Sequence, residues 1–208
     1  MTHTAQERAR RIKVILFDVD GVLTNGAIWI IPVPMAGPDG ATTTKMVEAK
    51  GYNAHDGAGV TLARLGGMKL GIITKRISET VAMRARDLKL EFVYQGQAFK
   101  MQAVREIMAK EGVRLEEIAY VGDDVIDLPV MRECGLAVAV ANARAEVKAE
   151  AHYVTPNRGG EGAGRDAIEF ILSAKGVLKQ CHEAMIDENN ATLALIDIGK
   201  GGELPSGH

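Results

Sequence analysis

Cysteine is nearly missing from this 208-residue chain: Cys134 and Cys181 are its only two, far apart in sequence. Two distant thiols make neither a disulfide framework nor a CxxC metal or redox site, and they point to a reducing cytosol. Histidines are few and scattered, with His3 and His208 terminal and His152 and His182 isolated, which excludes a zinc cluster. Charge of one sign is lacking too. A net charge of −2 gives no electrostatic ground for a nucleic-acid or anionic-membrane partner. The polar opening MTHTAQERARR holds no secretory apolar segment, and without secretion the sequon at Asn190 carries no weight. The charge-free stretch 21–38 contains Pro32, Pro34, Pro38, Gly21, Gly26 and Gly37, which break helices, so it is no membrane span. Internal repeats are absent as well. The expectation is a soluble cytoplasmic protein.

What is present suits one globular core: 47% apolar and 25% charged residues. Short apolar runs at Ile12 to Phe17, Lys69 to Thr74, Glu91 to Tyr94, Ile118 to Val121 and Leu136 to Val140 read as buried parallel strands. Helix-length segments alternate with them: Asp56 to Leu65, Ser78 to Leu88, Phe99 to Lys110, Val125 to Cys134 and Arg144 to Ala149. Ser78 suits an N-cap and Gly112 a stop. The alternation predicts an α/β, three-layer Rossmann-like fold with a mostly parallel central sheet. One segment breaks the rhythm. Ala27 to Ile31 and Thr42 to Ala49 read as the two strands of an inserted β-hairpin, with Pro32 to Gly40 as its turn. The core is expected over 1–175, with the hairpin at about 27–49, and a C-terminal helix and weakly structured tail over 176–208. The basic cluster Arg8, Arg10, Arg11 and Lys13 reads as a solvated N-terminal end.

Chemistry concentrates at the carboxyl ends of the strands, where open α/β sheets bind ligands. Asp18-Val19-Asp20-Gly21 ends the first strand and Gly122-Asp123-Asp124 ends a later one. Clustered carboxylates repel one another unless a cation or a shared proton relieves them. Asp18, Asp123, a backbone carbonyl and water would make an octahedral magnesium site. A helix N-cap accounts for part of Asp124 and Asp127. Thr74 ends KLGIIT, where its hydroxyl and the following amides could bind phosphate oxygens, and Lys100 opens the helix after the next strand, from where an ammonium can reach the same crevice. Taken singly, the first also reads as a strand-end residue and the second as a surface charge. The glycines 159–164 do not follow the first strand, so they are no dinucleotide fingerprint. Trp29 is read as interface packing.

The segments ILFDVDGVLTNG, IIT, Lys100 and VGDDVID resemble the four motifs of the haloacid dehalogenase superfamily. KGYNAHDGAGV, FVYQGQ, IAYVGDDVIDLPVM and YVTPNRGGEGAGRD resemble one branch of it, the 3-deoxy-D-manno-octulosonate 8-phosphate phosphatases, over roughly residues 12–175. That resemblance implies Asp18 as nucleophile and Asp20 as general acid/base. It implies Mg²⁺ held by Asp18, the main-chain carbonyl of Asp20, and Asp123, with Asp124 and Asp127 behind them. Thr74 and Lys100 would bind the phosphoryl group. It further implies a homotetramer whose hairpins replace a cap domain and roof neighbouring sites.

The substrate expected from this branch is a phosphorylated eight-carbon sugar acid, its carboxylate bound by Arg76 and Arg84. Three positions depart from the branch: Lys75 stands for a glycine, His55 for an arginine and Glu161 for an arginine. Around Glu161 the chain is closer to phosphatases of nine-carbon sugar acids, which remain the alternative substrates. A signalling receiver domain has similar residue types, but in it the acidic pair precedes the phosphoacceptor. A phosphomutase would need a larger cap than two dozen residues provide. A non-catalytic scaffold would be expected to have lost Asp18, Asp20, Lys100 or Asp123, and none is missing.

Overall fold

A computed structural model describes residues 3–37 and 42–187. Strand β1 (Val14–Phe17) is buried at every position, as an unbroken apolar run requires of a strand covered on both faces. It pairs in parallel with β4 (Lys69–Ile73) on one side and β6 (Ile118–Gly122) on the other. Beyond β4 lies β5 (Phe92–Tyr94), and beyond β6 lie β7 (Leu136–Ala139) and β8 (Tyr153–Val154), all parallel. The strand order is β5-β4-β1-β6-β7-β8. The chain leaves β1 toward β4 and β5 and then returns to β6, so its winding reverses at β1. A crevice opens at the carboxyl ends where the winding reverses.

Helices flank this sheet in two groups. One contains α1 (Ala5–Ala9), α2 (Ala54–Leu65), α7 (Ala163–Ala174) and α8 (Leu178–Ile186), with α2 packed on α7 and α8. The other contains α4 (Lys100–Glu111), α5 (Leu128–Met131) and α6 (Ala145–Glu150). Helix α3 (Glu79–Asp87) connects β4 to β5. Ile15, Leu16, Leu62, Leu70, Ile107, Ile118 and Leu136 form the dry centre. The expected α/β architecture is present. Gly112 stops α4 with φ of 65°, a conformation glycine adopts without strain.

Two local expectations need correction and two gain detail. The hairpin is β2 (Trp29–Ala36) against β3 (Thr42–Ala49), so its first strand runs through Pro32 and Pro34 instead of turning there. The two prolines are two residues apart and share one parity, and a two-stranded ribbon has a free edge that tolerates residues without a backbone donor. The segment expected as one helix from Val125 to Cys134 is a 3₁₀ turn, Val125–Asp127, followed by the single-turn α5. The Asp127 carboxylate folds back onto the amides of Asp123 and Asp124, which tightens that turn. Ser78 occupies the N-cap position of α3, but its hydroxyl donates to Glu48 at 2.6 Å instead of capping. The N-terminal basic cluster is anchored: Arg8 donates to the Gly135 carbonyl and Arg10 to that of Ala174 at the end of α7. The expected tail after Asp187 lies outside the described residues.

Strand β4 approaches β5 closely enough that Gly71 has no room for a side chain. A Cβ there would lie 2.5 Å from Phe92 Cβ and 2.7 Å from its carbonyl oxygen. Gly71→Ala is expected to destabilise the chain by about 1–3 kcal/mol through overpacking. A urea midpoint equal to that of the parent would contradict this packing.

Candidate active site

Four strand ends converge. The Asp18 amide still donates to Val121 in the β6 ladder at 3.0 Å, so the strand pairing itself fixes this residue. The chain then turns sharply: the amides of Val22, Leu23 and Thr24 all point at the Val19 carbonyl. Gly21 takes φ of 92° and lets Asp123 approach; a Cβ at residue 21 would lie 2.2 Å from Asp123 Oδ2. Asn142 clamps this turn to the glycine-rich loop 159–164. Its amide donates to Gly21 O at 3.0 Å, and its carbonyl accepts from Gly159 N at 2.6 Å.

At the centre, Lys100 is 3% exposed and Asp18 5%. The Lys100 ammonium lies 2.7 Å from Asp18 Oδ1 and 2.7 Å from Asp127 Oδ1, and donates to Tyr120 Oη at 3.0 Å. Burial alone would lower the Lys100 pKa, but the two carboxylates outweigh it and the net direction is upward. The ammonium is therefore held charged. Asp127 is wholly committed: Oδ1 takes Lys100 and the Tyr120 hydroxyl, and Oδ2 takes the amides of Asp123 and Asp124. Asp124 itself accepts from Val125 N at 2.6 Å, the capping arrangement read from the sequence.

Oxygens of Asp18, Asp123 and Asp127 can all lie within 4.8 Å of one another. Asp123 Oδ1 is buried with no hydrogen-bond partner. Desolvation raises Asp123 to about 7, with the charges of Asp18 and Asp127 adding to it. Desolvation also raises Asp18 to about 6 against the pull of Lys100. Crowded, under-solvated carboxylate oxygens are hard donors, and this set fits a divalent cation of the magnesium type. Since Asp127 has no oxygen to spare, the available side-chain donors are Asp18 and Asp123.

A family model of haloacid dehalogenase-like hydrolases matches residues 71–164. The 3-deoxy-D-manno-octulosonate 8-phosphate phosphatase of Yersinia pestis is 38% identical over 173 residues, covering 83% of this chain and 86% of that one. The chain belongs to this phosphatase family. A crystal structure of the Yersinia pestis enzyme superposes with a TM-score of 0.75 at 37% identity, over 84% of this chain and 88% of that one. The corresponding enzyme of Moraxella catarrhalis, crystallised in complex with magnesium, phosphate and a KDO molecule, gives a TM-score of 0.75 at 33% identity. That match covers 86% of this chain and 96% of the Moraxella catarrhalis chain.

The remaining family-type positions surround this centre unevenly. Thr74 is buried at the end of β4, its amide bonded to Tyr94 O and its hydroxyl accepting from Arg76 N at 3.4 Å. Arg76 pairs with Glu48 at 2.6 Å and lies 3.9 Å from Asp20. Arg84 is half-buried over the Tyr52 ring, with an unpartnered Nε, beside a cavity of about 420 Å³ lined by Glu48, Lys50, Tyr52, Thr80 and Met83. Lys75, His55 and Glu161 are exposed, and none bonds to a site carboxylate among the described residues. His55 and the glycine-rich loop share an edge, since a Cβ at Gly162 would lie 3.6 Å from His55 Cβ. Sequence reasoning missed Tyr120, Lys50 and Glu48. Tyr120 sits inside an apolar run, and the other two are brought to Asp20 and Ser78 only by the fold of the hairpin.

The raised carboxylates fix a pH dependence. Both native pKa values exceed the unfolded value of about 3.9, so the unfolded chain binds fewer protons and metal-free stability falls from about pH 4 to about pH 7. A divalent cation needs both groups deprotonated, so it binds better as pH rises through the same window. Calorimetry should find a larger magnesium-induced rise in Tm at about pH 8 than at about pH 5. Equal rises would contradict this assignment of donors.

Proposed function

We propose that the chain hydrolyses 3-deoxy-D-manno-octulosonate 8-phosphate through an aspartyl-phosphate on Asp18, with Mg²⁺ as cofactor. The observation that carries this is the buried ammonium of Lys100 bound to Asp18 beside an Asp123 oxygen without a partner. Asp18, Asp123 and the main-chain carbonyl of Asp20 would hold the cation, and Asp124 and Asp127 support that set. When bound, it neutralises phosphate charge so that an anionic carboxylate can approach.

Asp18 attacks phosphorus, and Lys100 and Thr74 hold the phosphoryl oxygens. Asp20 protonates the leaving alkoxide, then takes a proton from the water that hydrolyses the acyl phosphate. Arg76 and Arg84 face the sugar-acid carboxylate, a role suited to guanidinium geometry and to the unpartnered Arg84 Nε. Lys75, His55 and Glu161 are exposed and tune the length of acid accepted.

The hairpin supports self-association as a homotetramer: Trp29 is 62% exposed, and Ile28, Ile30, Ile31, Met35, Met46 and Val47 are exposed with it. A reducing, cytoplasmic setting suits the buried free thiols of Cys134 and Cys181. Among the described residues no helix is long and apolar enough to cross a membrane.

Phosphate release should be strongest from the eight-carbon acid, vanish in EDTA, and fall at least about 10³-fold in Asp18→Asn. Normal turnover in Asp18→Asn would remove the nucleophile assignment. Stronger release from nine-carbon acids would keep the mechanism and transfer the substrate assignment, with His55 and Glu161 the residues to exchange. Sedimentation of a Trp29→Glu, Ile31→Glu variant should show smaller particles than the parent. An unchanged mass would contradict assembly through the hairpin.

A further inference from the structure

Lys50 follows the last residue of β3, and its side chain is completely buried. Its ammonium contacts Asp20 Oδ1 and lies 3.5 Å from Glu48 Oε1. Glu48 is fixed in turn by Arg76 at 2.6 Å and by the Ser78 hydroxyl at 2.6 Å. A buried ammonium is costly unless paired and hydrogen-bonded, so the chain invests a full desolvation at this point. A solvated surface pair would need none. Asp20 Oδ2, by contrast, accepts no hydrogen bond among the described residues, and Arg76 Nε lies 3.9 Å from it. One carboxylate oxygen is pinned and the other is left free.

We infer that Lys50 is the positioning residue for Asp20, holding Oδ1 so that Oδ2 is presented to the leaving group and then to water. This rests on the phosphatase reading above. In the first half-reaction the proton on Oδ2 passes to the ester oxygen as that oxygen's bond to phosphorus breaks and the Asp18 oxygen bonds to phosphorus. Asp20 is left as a carboxylate whose charge Lys50 balances. In the second half-reaction Oδ2 takes a proton from water as the water oxygen bonds to phosphorus and the bond from phosphorus to Asp18 breaks. The hairpin thereby contributes to the chemistry of its own subunit, and Glu48 and Arg76 tie that contribution to the loop after β4.

The test uses two leaving groups. A sugar alkoxide needs a proton to depart, whereas p-nitrophenolate leaves without one, and kcat/KM ends at leaving-group departure. Lys50→Met should lower kcat/KM for the best sugar-acid phosphate by about 10²-fold, the lower range of general-acid contributions. On p-nitrophenyl phosphate the loss should be less than about tenfold, so that the alkyl-to-aryl ratio falls. Asp20→Asn should lower the ratio likewise, and adding Lys50→Met to it should lower the ratio no further. If Lys50→Met does not fold, Lys50→Gln is measured in its place with the same expectation. Equal fractional losses on the two esters, or a further full drop in the double variant, overturn the inference and leave the phosphatase reading standing. A parent chain that releases phosphate from neither ester overturns both.

Discussion

The site is organised around the buried positive charge of Lys100. Lys100 has its ammonium among Asp18, Asp127 and the Tyr120 hydroxyl, out of contact with bulk water. Such a charge persists only if its partners are fixed, and each comes from a different part of the sheet: Asp18 from the end of β1, Tyr120 from within β6, Asp127 from the turn after β6. The parallel pairing of β1 with β6 sets their spacing. Asp127 then passes the constraint outward, since its second oxygen holds the amides of Asp123 and Asp124 and so aims Asp123 at the crevice.

Around that charge the acids divide their work by environment. Asp18 and Asp123 are desolvated and raised in pKa, which suits groups that meet a cation. Asp20 lies nearer solvent, in a separate cluster with Lys50, Glu48 and Arg76. Asp18 and Asp20 are two residues apart in sequence, yet their carboxylates take different partners, Lys100 for the first and Lys50 for the second, at the turn where Gly21 adopts φ of 92°. The turn is in turn pressed against the glycine-rich loop, where a Cβ at Gly159 would lie 1.8 Å from Gly21 O. Asp56 holds the start of the helix that follows the loop, accepting from Arg165 N in the first turn of α7 at 3.0 Å.

Much of this was legible from sequence because continuous apolar runs locate parallel strands, and parallel strands place their carboxyl ends together. Asp18, Thr74, Lys100 and Asp123 were found by that logic. Lys50 and Glu48 were not, since the hairpin brings them back across about thirty residues to Asp20 and Ser78, and no local pattern encodes that return. Tyr120 was hidden by its neighbours: inside IAYVG a tyrosine reads as core, and its hydroxyl gains a role only when Asp127 is folded beneath it. The prolines of β2 misled for the opposite reason, because a two-stranded ribbon has free edges that tolerate them.

On the proposed reading, Asp18 carries the phosphoryl group. Quenching the chain during turnover with magnesium and the sugar-acid phosphate, then reducing with borohydride, converts an acyl phosphate to homoserine at the residue that bore it. Peptide sequencing by mass spectrometry should find homoserine at position 18 and at no other aspartate. Phosphate released with homoserine absent, or present at a different residue, would contradict the account.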